Sequence, residues 1–587
     1  MDESQKEKLR AAKIEAVNSL RDIPAARFAA LAETDIRLQA YCEDVRDKPE
    51  RHNLYEVLAV VRFFILRQKY EWDAPAVRKF IKFAEKVKLS GLTGRRCYKC
   101  TNVQVFQFAN IWGFRRNGKR LTREACLFIP RKYSKTTTSA IFAAWDMMYG
   151  DANAQAYVAA NSYDQAQQCF KEILGIVQGI DPSMRFFKTN RHTVKFRRNE
   201  RDSFAQCLTS NTKTKDGLNA SLVIMDEYSQ ARSSELLSVL TTSMAVRKEP
   251  LTIIITTASD QMFGPFAQLL DGYKRVLRGE LVADELFAHV FEPDVDDEES
   301  AESTWRKVQP HYGITVQSDF YEMEYAKALR DANAMKDFRT KLLNVFAEID
   351  TKVWISYKQA SEMMRDIKLE DWKGRPPCMV AFDLSVRDDF SAVCYQIYDK
   401  TTRSFHSHVD YYFPEGALSS HPNRELYTIW AEQGHLKLCD GDVIDYRMIV
   451  SDILAANKVV QIMNIGYDNY KALTCVNMLR AAIGYHRAEK ILRPVPQTYG
   501  HFTASVDSFQ YGALTGKETF NANPINVFCC TNAIIDVDRM QNKKPIKRSS
   551  ANGSSASANG SSASSPAKID GLICMLMNHW LFNNYES

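Results

Sequence analysis

Four short apolar runs limit what this chain can fold into: Leu127 to Ile129, Ala156 to Ala160, Ser221 to Met225 and Leu251 to Thr256, with amphipathic stretches between them. Strand-like runs spaced by helical patterns predict an α/β fold, a parallel sheet flanked by helices on both faces. In such a sheet ligands bind beyond the carboxyl ends of the strands, so the residues that follow each run are where chemistry is expected. At 587 residues the chain is too long for one core. Its patterning divides it into a helical N-terminal region (1–90), this α/β domain (91–349), a connecting helix and linker (350–377) and a second α/β domain (378–587). The helical reading of the first region rests on Leu54, Leu58, Val61, Phe64 and Ile65, which recur at intervals of mostly three and four residues.

The first run leads into PRKYSKTT, Pro130 to Thr137. A strand, a tight loop, a lysine, a hydroxyl residue and a helix start follow in the order needed to cradle phosphates. Backbone N–H groups would face the phosphates, Lys135 would reach the β and γ oxygens, and Thr136 would bind Mg²⁺. The glycine usual before the lysine is Ser134 here, and the first glycine of the pattern is missing. A lysine and threonine after an apolar run also serve as an ordinary helix cap. The third run closes on Asp226 and Glu227, placed so that one carboxylate could hold the magnesium shell and the other deprotonate an attacking water; a cap of the next helix is the plainer reading. The fourth run ends in hydroxyls, Thr256 and Thr257.

A second alternation starts at Met379, where three strand-like runs follow in close succession and predict a sheet with an antiparallel part. Asp383 ends the first of them, Asp388 and Asp389 stand at the turn, Asp468 closes NIGYD, and Asp570 opens an apolar helix. Each is a common cap or turn residue on its own. Together the separated acids could hold two Mg²⁺ or Mn²⁺ ions for phosphodiester cleavage. The serine-rich tract at 549–565 predicts a disordered loop. The 13 cysteines are scattered, which favours reduced thiols, and the charged N-terminus lacks the apolar core of a signal peptide. No membrane span is expected. Net charge is only +6, with basic clusters in GRRCYKC, FRRNGKR and KFRRNER that could follow a phosphate backbone.

These motifs resemble the large terminase subunit of tailed bacteriophages, a DNA-packaging ATPase and nuclease. PRKYSKT follows that family's phosphate loop apart from Ser134, LVIMDE its Walker B strand, and ITTAS its coupling motif. The resemblance implies a P-loop ATPase domain followed by an RNase H-like nuclease domain. It places Gln104, Arg131, Lys132, Ser134, Lys135, Thr136 and Asp226 at ATP with Mg²⁺, with Arg131 a sensor of the γ-phosphate. Glu227 becomes the catalytic base, and Thr256 and Thr257 couple hydrolysis to movement. Asp383, Asp389, Asp468 and Asp570 become ligands of two Mg²⁺ or Mn²⁺ ions, with Asp383, Asp468 and Asp570 carrying the cleavage. The implied partners are double-stranded DNA, a small terminase subunit and the portal protein of the prohead, met by a ring of about five subunits in the host cytoplasm. Two rivals stand beside this reading: a helicase-like ATPase fused to a repair or defence nuclease, and a DNA-binding scaffold with a degenerate nucleotide site.

Overall fold

The computed structural model describes residues 3–91, 94–160, 163–190, 193–209, 217–231, 233–347, 354–374, 376–419, 421, 423–469, 472–547 and 567–585. The chain divides into two compact units, Asp2–Glu348 and Ile349–Ser587. The serine-rich tract lies outside the described residues.

The first unit opens with helices α1 (Glu3–Arg21), α2 (Ile36–Asp47), α3 (Leu54–Lys69) and α4 (Ala74–Lys86). Asn53 starts α3 with a capping box, its side chain accepting from Tyr55 and Glu56 N–H while the Glu56 carboxylate accepts from Asn53 N–H. Of the periodic positions on α3, Leu54 and Phe64 are buried and Leu58 and Val61 half-buried. Val57, Val60 and Phe63 are fully buried and Ile65 is 56% exposed. The α3 sequence is apolar nearly all round, so periodicity alone could not choose the face.

Among the described residues eight strands form the large sheet of this unit: β1 (Glu124–Phe128), β2 (Gln155–Ala160), β3 (Phe187–Asn190), β4 (Thr193–Arg198), β5 (Arg201–Thr209), β6 (Leu222–Asp226), β7 (Leu251–Thr256) and β8 (Leu286–Val290). Their order is β8-β1-β7-β6-β2-β5-β4-β3. The pairs from β8 to β5 are parallel. The antiparallel edge β5-β4-β3 is an addition that the four-run pattern did not show. Helices α5 (Asn102–Trp112), α6 (Lys135–Tyr149) and α7 (Tyr163–Ile180) belong to this unit. Strand β7 lies between β1 and β6, so the loop after β1, the hydroxyls after β7 and the carboxylates after β6 emerge side by side.

In the second unit β9 (Cys378–Asp383), β10 (Ser391–Asp399) and β11 (Ser404–Pro414) form an antiparallel meander. Strands β12 (Ile462–Tyr467) and β13 (Leu492–Pro494) add in parallel beside β9, giving the run β11-β10-β9-β12-β13, a sheet with the expected antiparallel part. Helices α8 (Tyr446–Ala456) and α9 (Leu473–Ile483) pack on Val380, Phe382, Val393 and Tyr395 of one sheet face. Toward the C-terminus come α10 (Tyr499–Thr515), strand β14 (Glu518–Asn521) and the hairpin β15 (Ala533–Val537) with β16 (Lys543–Lys547), and α11 (Asp570–Tyr585) lies against β9 and β10. The segment read as a connecting helix and linker is built into this unit: its helix Tyr357–Glu362 buries Ala360, and Trp372 joins the core.

Candidate active sites

Residues Ile129 to Ser134 leave β1 and turn into α6. Ser134 has φ +66° and ψ +34°, so the backbone holds the left-handed conformation that the missing glycine would adopt freely. Lys132 is also left-handed, at φ +73°. Each costs about 1 kcal/mol for a residue with a Cβ. The Ser134 hydroxyl makes no capping bond, so the first-turn N–H groups of α6 have no cap from this side chain and suit an anion.

Lys135 is buried, its Nζ donating to the Ile129 and Pro130 carbonyls at 3.2 and 3.1 Å and to the Thr257 hydroxyl. Its Nζ also lies 4.0 Å from a Glu227 oxygen. Burial lowers the ammonium pKa, and the charges of Glu227 and Asp226 oppose that. Asp226 is buried, and burial first and Glu227 second push its carboxyl up to about 7. A buried acid beside another acid is the donor set that a divalent cation relieves. Glu227 stands at φ +53°, its N–H donating to Ile255 O at 3.1 Å. The Thr257 hydroxyl donates to Ile129 O at 2.9 Å, and that of Thr256 accepts from Ser229 N–H at 3.0 Å. Both threonines therefore bridge the phosphate loop and the carboxylate strand. Thr136 is half-buried in the first turn of α6, and Arg131 and Lys132 are exposed. The loop is fastened from a later segment: Arg131 N–H donates to Lys341 O at 2.9 Å, Gln309 Nε2 to Arg131 O at 2.8 Å, and the Thr315 hydroxyl to Lys132 O at 2.5 Å. Gln104 is buried in a different task, closing the capping box of α5 with Thr101 and donating to the Tyr98 hydroxyl.

In the second unit Asp383, Asp389, Asp468 and Asp570 line one cavity of about 420 Å³, together with Gln497, Lys544 and Lys547. Four places in the chain bring them there: the end of β9, the turn before β10, the residue after β12 and the start of α11. Burial, then Asp570 and Asp468, push Asp383 well above the usual carboxyl range. Burial raises Asp570 to about 6 against the pull of Lys547. Its Oδ2 is buried with no hydrogen-bond partner among the described residues, an orphaned acceptor that suits a cation. Asp389 is placed differently. Its burial is outweighed by Lys568, and with Lys547 at 3.0 Å the carboxyl stays low. Among the described residues no three acidic, histidine or cysteine side chains converge closely enough to form a ready ion site.

Sequence reasoning missed Lys547 and Lys568, of which Lys568 is fully buried and also donates to Asp388 O at 2.6 Å. The signal for Lys568 was its place two residues ahead of Asp570. Lys547 closes a hairpin strand and offered none.

Two family models match the chain: the ATPase domain of the terminase large subunit over residues 102–275 and the endonuclease domain of the terminase large subunit over residues 280–556. The second match starts inside the first unit and ends short of Asp570. Protein YmfN of Escherichia coli K12 is 24% identical over 378 residues, covering 62% of this chain and 77% of that protein. The large terminase subunit of Enterobacteria phage HK97 is 22% identical over 381 residues, covering 64% of this chain and 69% of that protein. Among solved structures, the HK97 large terminase aligns with a TM-score of 0.46 at 20% identity, over 86% of this chain and 99% of that one. The large terminase of a thermophilic bacteriophage, in complex with ADP, aligns with a TM-score of 0.29 at 9% identity, over 79% of this chain and 94% of that one.

Proposed function

The chain belongs to the terminase large-subunit family, with its ATPase and endonuclease domains, and on that premise we propose which residues perform each activity. The function is that of a phage DNA-packaging ATPase and endonuclease. The match of both parts of the chain to terminase domains disfavours the helicase-like rival, which needs a second motor domain.

In the ATPase site the N-terminus of α6 would receive the phosphates, Lys135 would reach the β and γ oxygens, and Thr136 and Asp226 would hold Mg²⁺. Bound magnesium neutralises charge that develops on the phosphates. Glu227 takes the proton of the attacking water, and Arg131, exposed beside the loop, meets the γ-phosphate. Thr256 and Thr257 pass the change at the γ-phosphate to β7. Gln104 serves the adenine side only if its cap opens, because both ends of its amide are engaged. The observation that carries this reading is the buried Lys135 ammonium, held between loop carbonyls and the Asp226–Glu227 pair.

In the nuclease site Asp383, Asp468 and Asp570 would hold two Mg²⁺ or Mn²⁺ ions, with Asp389 at the rim. When bound, such a pair would supply an activated water and charge to stabilise the leaving oxygen of a phosphodiester. Lys547 and Lys568 balance the acids and fix Asp389. The substrate is double-stranded DNA, and the partners are a small terminase subunit and the portal of the prohead, met by about five subunits in the host cytoplasm. Among the described residues no helix is long and apolar enough to cross a membrane.

Lys135→Ala should abolish ATP binding. Glu227→Gln should keep binding and lose about 100-fold or more of hydrolysis, read by phosphate release. Hydrolysis at the original rate in both variants would leave the scaffold reading in place. The rate should also rise in the presence of prohead and portal.

A further inference from the structure

We propose that Tyr133 is a positioning residue of the phosphate loop, tethering it through Gln107 so that Lys132 and Ser134 stay left-handed where a glycine would need no help. The inference rests on the assignment of this loop to ATP. Tyr133 stands between the two strained residues, at φ +73° and +66°. Each would relax to negative φ if the loop were free, because its Cβ crowds the backbone there.

Tyr133 is fully buried and its hydroxyl donates to Gln107 Oε1 at 2.8 Å. Its ring lies against His311 with centroids 4.3 Å apart, and His311 Nε2 meets the Thr101 hydroxyl at 3.2 Å. Gln107 is fixed in turn. Its Nε2 donates to His289 Nδ1 at 3.2 Å, His289 Nε2 lies 3.0 Å from the Tyr41 hydroxyl, and Tyr41 donates to Glu56 Oε1 at 3.0 Å. Burial keeps His289 neutral, and because Tyr41 spends its hydrogen on Glu56 the single N–H of His289 sits on Nε2, so every hydrogen along Tyr133, Gln107, His289, Tyr41 and Glu56 points the same way. That leaves the Gln107 amide one orientation, with its oxygen toward the loop. The tether thus runs from α3 and α2 through α5 and β8 to the one loop residue flanked by left-handed neighbours.

Removing the hydroxyl leaves a buried acceptor unpaired and lets the loop leave its binding conformation. Apparent affinity then falls by the fraction of loops lost, while the bound complex reacts as before. In the full-length chain, Tyr133→Phe should raise the Kd of a non-hydrolysable ATP analogue about fivefold to tenfold and leave kcat within about twofold. Gln107→Met should do the same. In a Ser134→Gly background, Tyr133→Phe should raise Kd by a smaller factor than in the original chain, since glycine removes the Cβ strain at one of the two left-handed positions. A merely structural hydroxyl would lower the melting temperature in both backgrounds without that rescue. Equal loss of affinity in both backgrounds, or a change under about twofold in the original one, overturns the proposal. Lys135→Ala in the same titration separates the premise: retained binding overturns the ATP assignment and this inference with it. Binding lost there but untouched by Tyr133→Phe overturns the inference alone.

Discussion

A carboxylate at the end of an apolar strand is conspicuous in a sequence because it is costly without a partner, and Asp226, Asp383 and Asp468 could be read for that reason. The groups that answer them were hidden. Tyr133 is an aromatic between loop residues, and nothing in its neighbours points to Gln107, 26 positions earlier. Lys568 balances Asp389 only because the fold brings together residues 179 positions apart. Lys568→Met should therefore destabilise the second unit by about 2 kcal/mol in a denaturant melt, a value discounted for the partial exposure of Asp389. His52 gives a test by pH. Its burial is outweighed by Glu56 and Asp44, which raise it to about 9. A raised histidine stabilises fully below its unfolded value of about 6.5 and loses that contribution as pH climbs through 9. The urea midpoint of the first unit should fall between pH 6.5 and 9.5 by the equivalent of about 2 kcal/mol, and His52→Gln should flatten that slope.

At the scale of elements, the four runs of the first sheet were legible because a strand buried on both faces is apolar along its whole length. The edge β5-β4-β3 was not, because polar strands that alternate weakly look like loops; β4 reads TVKFRR. Two of the basic clusters lie in hairpins. FRRNGKR turns at Asn117 and Gly118, with φ of +54° and +70°, and KFRRNER turns at Asn199, with φ +54°. Arg116, Lys119, Lys195, Arg197 and Arg198 are exposed beside these turns, whereas Arg120 is buried and donates to the Glu249 and Pro250 carbonyls. Helix α11 shows how closely an element can be seated. A Cβ on Gly571 would come within 1.8 Å of the Tyr411 hydroxyl. Gly571→Ala should push the start of α11 from the sheet, cost about 1–3 kcal/mol, and lower metal-dependent nicking because Asp570 is the adjacent residue. A melting curve and a plasmid assay on the same preparation would check both.

Across the whole molecule, the two proposed sites lie in different units, the Lys135 loop and Glu227 in the first and the four acids in the second. The order of the two domains was readable because each begins with its own strand pattern. The seam was less so, since the segment after residue 353 looks like a connector and yet contributes Trp372 to the second core. Separate sites should fail separately. The most direct measurement is therefore a crossed assay on the full chain, with ATP hydrolysis in Mg²⁺ and plasmid nicking in Mn²⁺ without ATP, applied to Glu227→Gln and Asp383→Asn. The expected result is that Glu227→Gln loses hydrolysis and keeps nicking, while Asp383→Asn loses nicking and keeps hydrolysis. Nicking that survives Asp383→Asn, or hydrolysis that survives Glu227→Gln, would contradict the assignment of these residues to the two sites.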